Sequence, residues 1–383
     1  MIRGAAGLRI AVIGGGIVGL ACADELVRAG HDVSVFDPSP AGGATRAAAG
    51  MLAPGGEAWF GEEALLALGL DSLSRWPGFA ADLEQRSGRH VDLRQDGALL
   101  VGGDRDDLTE LLRAAAFLER SGVRADELDR PALRRLEPSI SGRAAGGVRL
   151  PDDRHVDPRR VASALLAVLG ERVLRARARP VADGVVLGGG DGVHVPADVI
   201  VLATGHAGLR HVRPVRGEVV RVRSCDAPTR VLRATWHGER VYVVPRSDGE
   251  LVIGATEEEH PATPQTSATS DGPLPTVGGV ARLLDTARAL LPGIDTADVV
   301  EVMARDRPGS PDNGPLIGPL DRQGPARLLV AGGHYRGGVL LAPVTAAALR
   351  AHVDGLEVPA TARCFTPDRF KYPTHHRNED PCT

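Results

Sequence analysis

Cysteine is scarce in this chain: Cys22, Cys225, Cys364 and Cys382 stand alone, with no C-x-x-C pair and no Cys/His ligand spacing. That scatter argues against a metal centre or a disulfide framework, so each thiol reads as a small apolar residue or a tail group. Long apolar runs are missing as well. None approaches the roughly 18–20 residues of a membrane span, and no membrane partner is expected. Charge of one sign is not in excess either, and a formal net charge of −4 over 383 residues leaves no basic footprint for nucleic acid. Lysine is nearly absent, Lys371 being the only one, which reads as codon bias rather than mechanism. The opening MIRGAAGLRI has neither the h-region nor the cleavage site of a signal peptide, so a cytoplasmic location is expected.

Glycine, by contrast, is plentiful, and it is dense at two places. The first follows LRIAVIG (8–14), a continuous apolar run of strand length. IVGLACADELVRAG (17–30) then carries helical periodicity and stops at Gly30, and HDVSVFD (31–37) reads as a second strand. In this βαβ unit, Gly14, Gly16 and Gly19 fit G-x-G-x-x-G: the first makes the tight turn, the second lets backbone approach a pyrophosphate, and the third lets helix pack on strand. The helix start offers N–H groups to phosphates. Asp37 ends the second strand where a carboxylate would accept from ribose hydroxyls, and it disfavours a 2′-phosphate, leaving NAD and FAD.

Length predicts two coupled domains. After Asp37 the strand–helix alternation breaks: PSPAGGATRAAAGMLAP (38–54) reads as a long loop of small residues able to follow an extended cofactor, and helices are expected over 61–86 and 104–136. ADVIVLATG (197–205) and ARLLVAGG (326–333) read as strands returning to the first sheet, the latter leading into a helix-length segment. RGEVVRVR (216–223), RVYVVPR (240–246) and ELVIGAT (250–256) look like a second sheet with a hairpin turn at Ser247–Gly249. The polar stretch 257–279 reads as a long loop, a lid among its possible roles.

The second glycine cluster is AGGHYRGGVLLAP (331–343). Together with AVIGGGIVG, AAAGMLAP, PVRGEVV, VYVVPR, VIGAT and RPGSPDNGPLIG, it makes nearly the whole chain resemble the glycine oxidases of the thiamin pathway, within the D-amino-acid oxidase and sarcosine oxidase superfamily of flavoproteins. The resemblance implies an α/β fold, with a Rossmann-type FAD-binding domain built from residues 1–90, 150–215 and 321–370. It also implies an α+β substrate domain with a predominantly antiparallel sheet from 91–149 and 216–320, and a tail at 371–383. The FAD contacts it implies are Ile17 and Val18, Asp37 and Pro38, Thr45 and Arg46, Ala49, Gly50 and Met51, Val181, and His334, Tyr335, Arg336, Gly337, Gly338, Val339 and Leu340. Gly205, closing the ATG turn, joins the cofactor set. No cysteine lies in or beside the C-terminal flavin stretch, so noncovalent FAD is expected.

By the same resemblance, Arg307 and Arg336 hold the substrate carboxylate, Tyr242 is the active-site tyrosine, and Met51 lies beside the substrate. Arginine suits that task because its planar fork grips a carboxylate bidentately. Arg240 should share a strand face with Tyr242 and could narrow the pocket or recruit a second anionic group. Glu257 stands where some relatives carry an apolar residue, and Gly337 where they carry a bulkier polar one. The implied chemistry is oxidation of glycine or a small N-substituted amino acid, with hydride passing from Cα to flavin N5. It would yield an imine, glyoxylate and ammonia from glycine, and hydrogen peroxide from O2. A hand-off to thiazole synthase and a homo-oligomer are the expected partners. A flavin dehydrogenase using another acceptor, an enzyme of specialised metabolism acting on a glycine-derived unit, and a dinucleotide-binding sensor are the other readings.

Overall fold

A computed structural model describes residues 7–189, 192–259, 272–320 and 324–370. The LRIAVIG run forms strand β1 (Arg9–Ile13), followed by helix α1 (Ile17–Arg28) and strand β2 (Asp32–Phe36). β1 lies parallel to β2, with Ile10 opposite Val33, and on its other side parallel to Val199–Leu202, with Ile10 opposite Val199. The sheet has six strands in the order Leu316–Pro319, Arg327–Gly332, Val199–Leu202, β1, β2, Val173–Leu174; Leu316–Pro319 alone runs antiparallel. Both faces of β1 are covered, which explains why its sequence is apolar without alternation. Ile10 and Val12 meet a helical layer that includes α1, Pro158–Leu169 and Ala342–Asp354. Ala11 and Ile13 meet a three-stranded antiparallel sheet of Ala178–Val181, Gly184–Leu187 and Val193–Pro196.

The second sheet has eight strands: Asp298–Gly309, Arg213–Arg223, Glu250–Gly254, Glu239–Pro245, Val231–Trp236, Ala98–Gly102, Gly146–Leu150 and Asp126–Asp129. Its neighbours are antiparallel except Val231–Trp236 against Ala98–Gly102. Side chains alternate along each strand. Val220, Val222, Val241 and Val243 face the helix Val277–Leu290, whereas Val219, Tyr242, Val244 and Val252 face the segment 47–51.

The structure corrects three local expectations. The helix expected over 104–136 is Arg105–Arg120; Gly122 then takes φ 77°, a strand follows at Asp126–Asp129, and a new helix, Arg130–Leu136, starts with Pro131 in its first turn and an Asp129 cap. The 38–54 loop carries the short helix Ala44–Ala47 and a two-residue strand, Met51–Leu52, with the short helix Pro54–Glu57 directly after it. Within 257–279, a helix begins at Val277 under a Thr276 cap; residues 260–271, where a lid was considered, lie outside the described residues. The hairpin at 247–249 closes as expected, with Arg246 N–H donating to the Glu250 carbonyl at 2.8 Å.

Candidate active site

A cavity of about 950 Å³ runs from the β1–α1 turn to the inner face of the eight-stranded sheet. At its first end the glycines of the turn are enforced by geometry. A Cβ on Gly14, at φ 111°, would lie 2.2 Å from the Ala203 carbonyl oxygen, and one on Gly19 would lie 2.1 Å from the Gly14 carbonyl oxygen. Gly19 therefore sets helix-to-turn contact and does not line the cavity, while Gly14, Gly16, Ile17 and Val18 do. Thr45 Oγ1 accepts from Ile17 N–H at 3.0 Å and acts as the missing cap of α1. The Asp37 carboxylate accepts from Gly15 N–H at 2.6 Å and Ser39 N–H at 2.7 Å, fixing the turn. Pro38, Arg46, Ala49, Gly50, Met51 and Gly205 also line the cavity.

The C-terminal turn closes the middle. His334, Tyr335, Arg336, Gly337, Gly338, Val339 and Leu340 all line it. His334 is buried, with Nε2 2.9 Å from Thr345 Oγ1, and burial pushes its pKa down to about 3, so the ring is neutral. Tyr335 adopts φ 46°, a conformation that L-residues rarely take; its N–H donates to the Pro308 carbonyl at 2.8 Å and its hydroxyl donates to Glu257. The first bond ties the turn to the strand carrying Arg307, and the second ties it to the segment that follows the strand Glu250–Gly254.

The far end is built on one row of cross-strand neighbours: Arg233 opposite Tyr242, Tyr242 opposite Gly254, and Gly254 opposite Val219. Gly254 is required because a Cβ there would lie 2.3 Å from the Tyr242 hydroxyl. Two residues from Val219, Gly217 provides a second platform: a Cβ on it would lie 2.3 Å from Arg307 Nη1 and 2.4 Å from Nη2. Arg307 Nη1 donates to the Thr256 carbonyl at 3.1 Å, and the guanidinium also hydrogen-bonds the Tyr242 phenol, whose pKa burial raises. Among the described residues Arg307 has no carboxylate in ion-pair contact. Arg336 does, with Nε 3.4 Å from Glu57 Oε2 and Nη1 3.9 Å from Glu257 Oε2. Glu57 Oε1 accepts from Arg233 Nη1, and Met51 Sδ lies 3.6 Å from the same nitrogen. Burial pushes the Glu57 carboxyl upward, but the charges of Arg233, Arg336 and Arg307 outweigh it and hold the pKa below its usual value.

Besides Gly19, two expected site residues fall outside the cavity. Val181 stands at the turn end of its strand opposite Gly184, and the cavity meets the other end at Arg177–Arg179. Arg240 shares the Tyr242 face but lies two residues farther toward the exposed turn, its guanidinium 5.5 Å over the Trp59 ring and 66% exposed. Sequence reasoning passed over Glu57, Arg233, Gly217 and Gly254. Alternation in VLRATW would have revealed the strand carrying Arg233, but nothing local marks Glu57, which lies just past the stretch read as a featureless loop.

These features fit FAD: a long cavity, a glycine turn that rejects side chains, helix N–H groups at one end and cationic groups at the other. No cysteine lines the cavity, and no cluster of three metal-ligating side chains occurs among the described residues. The family described as FAD dependent oxidoreductase (DAO) matches residues 9–351. The glycine oxidase of Geobacillus kaustophilus is 32% identical over 357 residues, covering 88% of this chain and 90% of that protein. Its crystal structure superposes with a TM-score of 0.82 at 28% identity, covering 94% and 98% of the two chains. A bifunctional ThiO/ThiG protein of Trichormus variabilis is 31% identical over 359 residues, 88% of this chain and 51% of that longer one. Matched along nearly its whole length in sequence and fold, the chain belongs to the DAO family of FAD-dependent oxidoreductases.

Proposed function

We propose that this enzyme oxidises glycine, or a small N-substituted glycine, to the imine with O2 as electron acceptor. The observation that carries the reading is Arg307: a guanidinium seated over Gly217, bonded to a carbonyl and a phenol but to no carboxylate among the described residues, at the cavity end where a substrate would meet the flavin. A substrate carboxylate supplies the missing partner, and the forked geometry fixes its orientation as well as its charge. The Tyr242 phenol, kept protonated by burial, can donate to the same carboxylate. When bound, FAD supplies the two-electron acceptor for the Cα hydride and returns those electrons to O2 as hydrogen peroxide.

The residues' own task is to hold the amino acid with its Cα–H in a fixed direction and to exclude water, which demands orientation more than a dedicated acid or base. The imine from glycine then takes up water to give glyoxylate and ammonia. Asp37 and the α1 N-terminus are read as the adenosine and phosphate contacts, His334–Leu340 as the flavin contacts. Similarity to a chain joining ThiO to ThiG supports transfer of the imine to a thiazole synthase in thiamin synthesis; a cytoplasmic homo-oligomer is our reading of the working form. Among the described residues no helix is long and apolar enough to cross a membrane. Anaerobic titration of the flavin-loaded enzyme with glycine, sarcosine and D-alanine tests the reading. Glycine or sarcosine should bleach the flavin absorbance, and an unbleached flavin with both would overturn it.

A further inference from the structure

The substrate end holds more arginine than one carboxylate needs, and its acids are arranged to cancel the surplus. Arg233 and Arg336 come from different parts of the fold, a strand of the eight-stranded sheet and the C-terminal turn, yet each is engaged by a separate oxygen of Glu57. Glu257 adds a second acid to Arg336 at 3.9 Å. Glu62, which accepts from the Asn313 amide at 2.8 Å, also lines the cavity. Arg307 alone of these three arginines lacks an acidic partner among the described residues.

We propose that Glu57 is a specificity-determining residue: its carboxylate cancels Arg233 and Arg336, so that the site accepts a substrate with one carboxylate and rejects one carrying a second anionic group. The inference rests on the reading of a small amino acid as substrate and sharpens it. Glu57 is half-buried in the cavity wall and stays ionised because three arginines surround it. A second substrate carboxylate reaching toward Arg336 would meet that fixed negative charge in a medium that screens poorly, and like charges there cost several-fold more than in water. The cavity-lining residues that flank Glu57 in the chain, Pro54 and Ala58, are small, so the barrier proposed at Glu57 is its charge rather than its bulk. Without the Glu57 charge, Arg233 and Arg336 would lose the acid they share, leaving Arg336 only Glu257 at 3.9 Å and the site with surplus positive charge suited to a second carboxylate.

The test uses two non-oxidisable ethers, methoxyacetate with one carboxylate and oxydiacetate with two, titrated into flavin-loaded wild type, Glu57→Gln and Glu57→Asp while flavin absorbance is followed. Wild type should favour methoxyacetate. Glu57→Gln, isosteric but neutral, should shift the Kd ratio toward oxydiacetate by roughly tenfold or more. Glu57→Asp keeps the charge and should keep the wild-type preference. An unchanged ratio in flavin-loaded Glu57→Gln overturns the inference, as does an equal shift in Glu57→Asp, which would make the effect one of packing. Failure of methoxyacetate to perturb the wild-type flavin overturns it too. Because neither ether is oxidised, these outcomes are separate from the bleaching by glycine that tests the reaction itself.

Discussion

Arg307 is held by a carbonyl and a phenol, neither of which neutralises it, and that separates its role from that of Arg336. Truncating one partner of a desolvated charge pair costs about 2–5 kcal/mol, so Arg307→Ala should lower kcat/KM for glycine by about 30-fold to several thousand-fold with FAD still bound. Arg307→Lys should recover only part, because a point charge cannot reproduce the fork. A folded, flavin-loaded Arg307→Ala enzyme with near-normal kcat/KM would remove the clamp. The neighbouring glycine offers an independent check. A Cβ on Gly217 collides with the movable end of Arg307 rather than with backbone, so Gly217→Ala should leave the melting temperature nearly unchanged while lowering kcat/KM roughly tenfold or more. If the two move together, Gly217 is structural. Arg307 was legible in the sequence through its motif; Gly217 was not, because what forbids a side chain there comes from a strand some ninety residues away.

At the scale of elements, the helix Pro54–Glu57 is too short to hold itself, and neighbours fix it. Pro54 packs on Gly69, and the Gly56 N–H donates to Asp153 Oδ2 at 3.1 Å. Asp153 is 3% exposed, and burial pushes its pKa up to about 7 against the pull of Gly56, Arg233 and Gly55. The folded protein therefore binds a proton more tightly than the unfolded chain, whose value is near 3.8. The stability this contributes is fully present below about pH 4 and is lost as pH rises through about 7. Asp153→Asn keeps an acceptor for Gly56 without the titration, so the wild-type melting temperature should fall relative to the variant between about pH 4 and 7. Parallel melting curves across that range would show that Asp153 is not held protonated. None of this could be read from the small residues of 38–54, whose short helices and strand depend on long-range contacts with Arg154–His155, the helices Glu63–Ser87 and Pro158–Leu169, and the strand Asp298–Gly309. β1, α1 and β2, whose local pattern agrees with their packing, were legible to within a residue or two.

Over the whole molecule, the parallel sheet is assembled from strands more than three hundred residues apart, with β1 and Arg327–Gly332 flanking Val199–Leu202. The sequence announced those strands because each is a continuous apolar run ending in glycine. It was silent on the strands at Ala98–Gly102 and Gly146–Leu150, which sit between helical stretches and owe their place to long-range pairing. The same dispersion governs the cofactor. The cavity proposed as its cradle draws on the β1–α1 turn, the segment 37–51, the Ala203–Gly205 turn and the C-terminal turn, so the unfolded chain has no part of that cavity in working form. A ligand bound by the folded state alone stabilises it by about 2.7 kcal/mol at a hundredfold excess over Kd. Removing FAD should therefore lower the melting temperature by several degrees, and added FAD should restore it in a concentration-dependent way, FMN much less because it lacks the adenosine half that Asp37 would hold. With no cysteine lining the cavity, acid precipitation should leave a colourless pellet and FAD in the supernatant. A yellow pellet would establish a covalent link, and a melting temperature indifferent to FAD would mean that the two sheets hold together without the molecule between them.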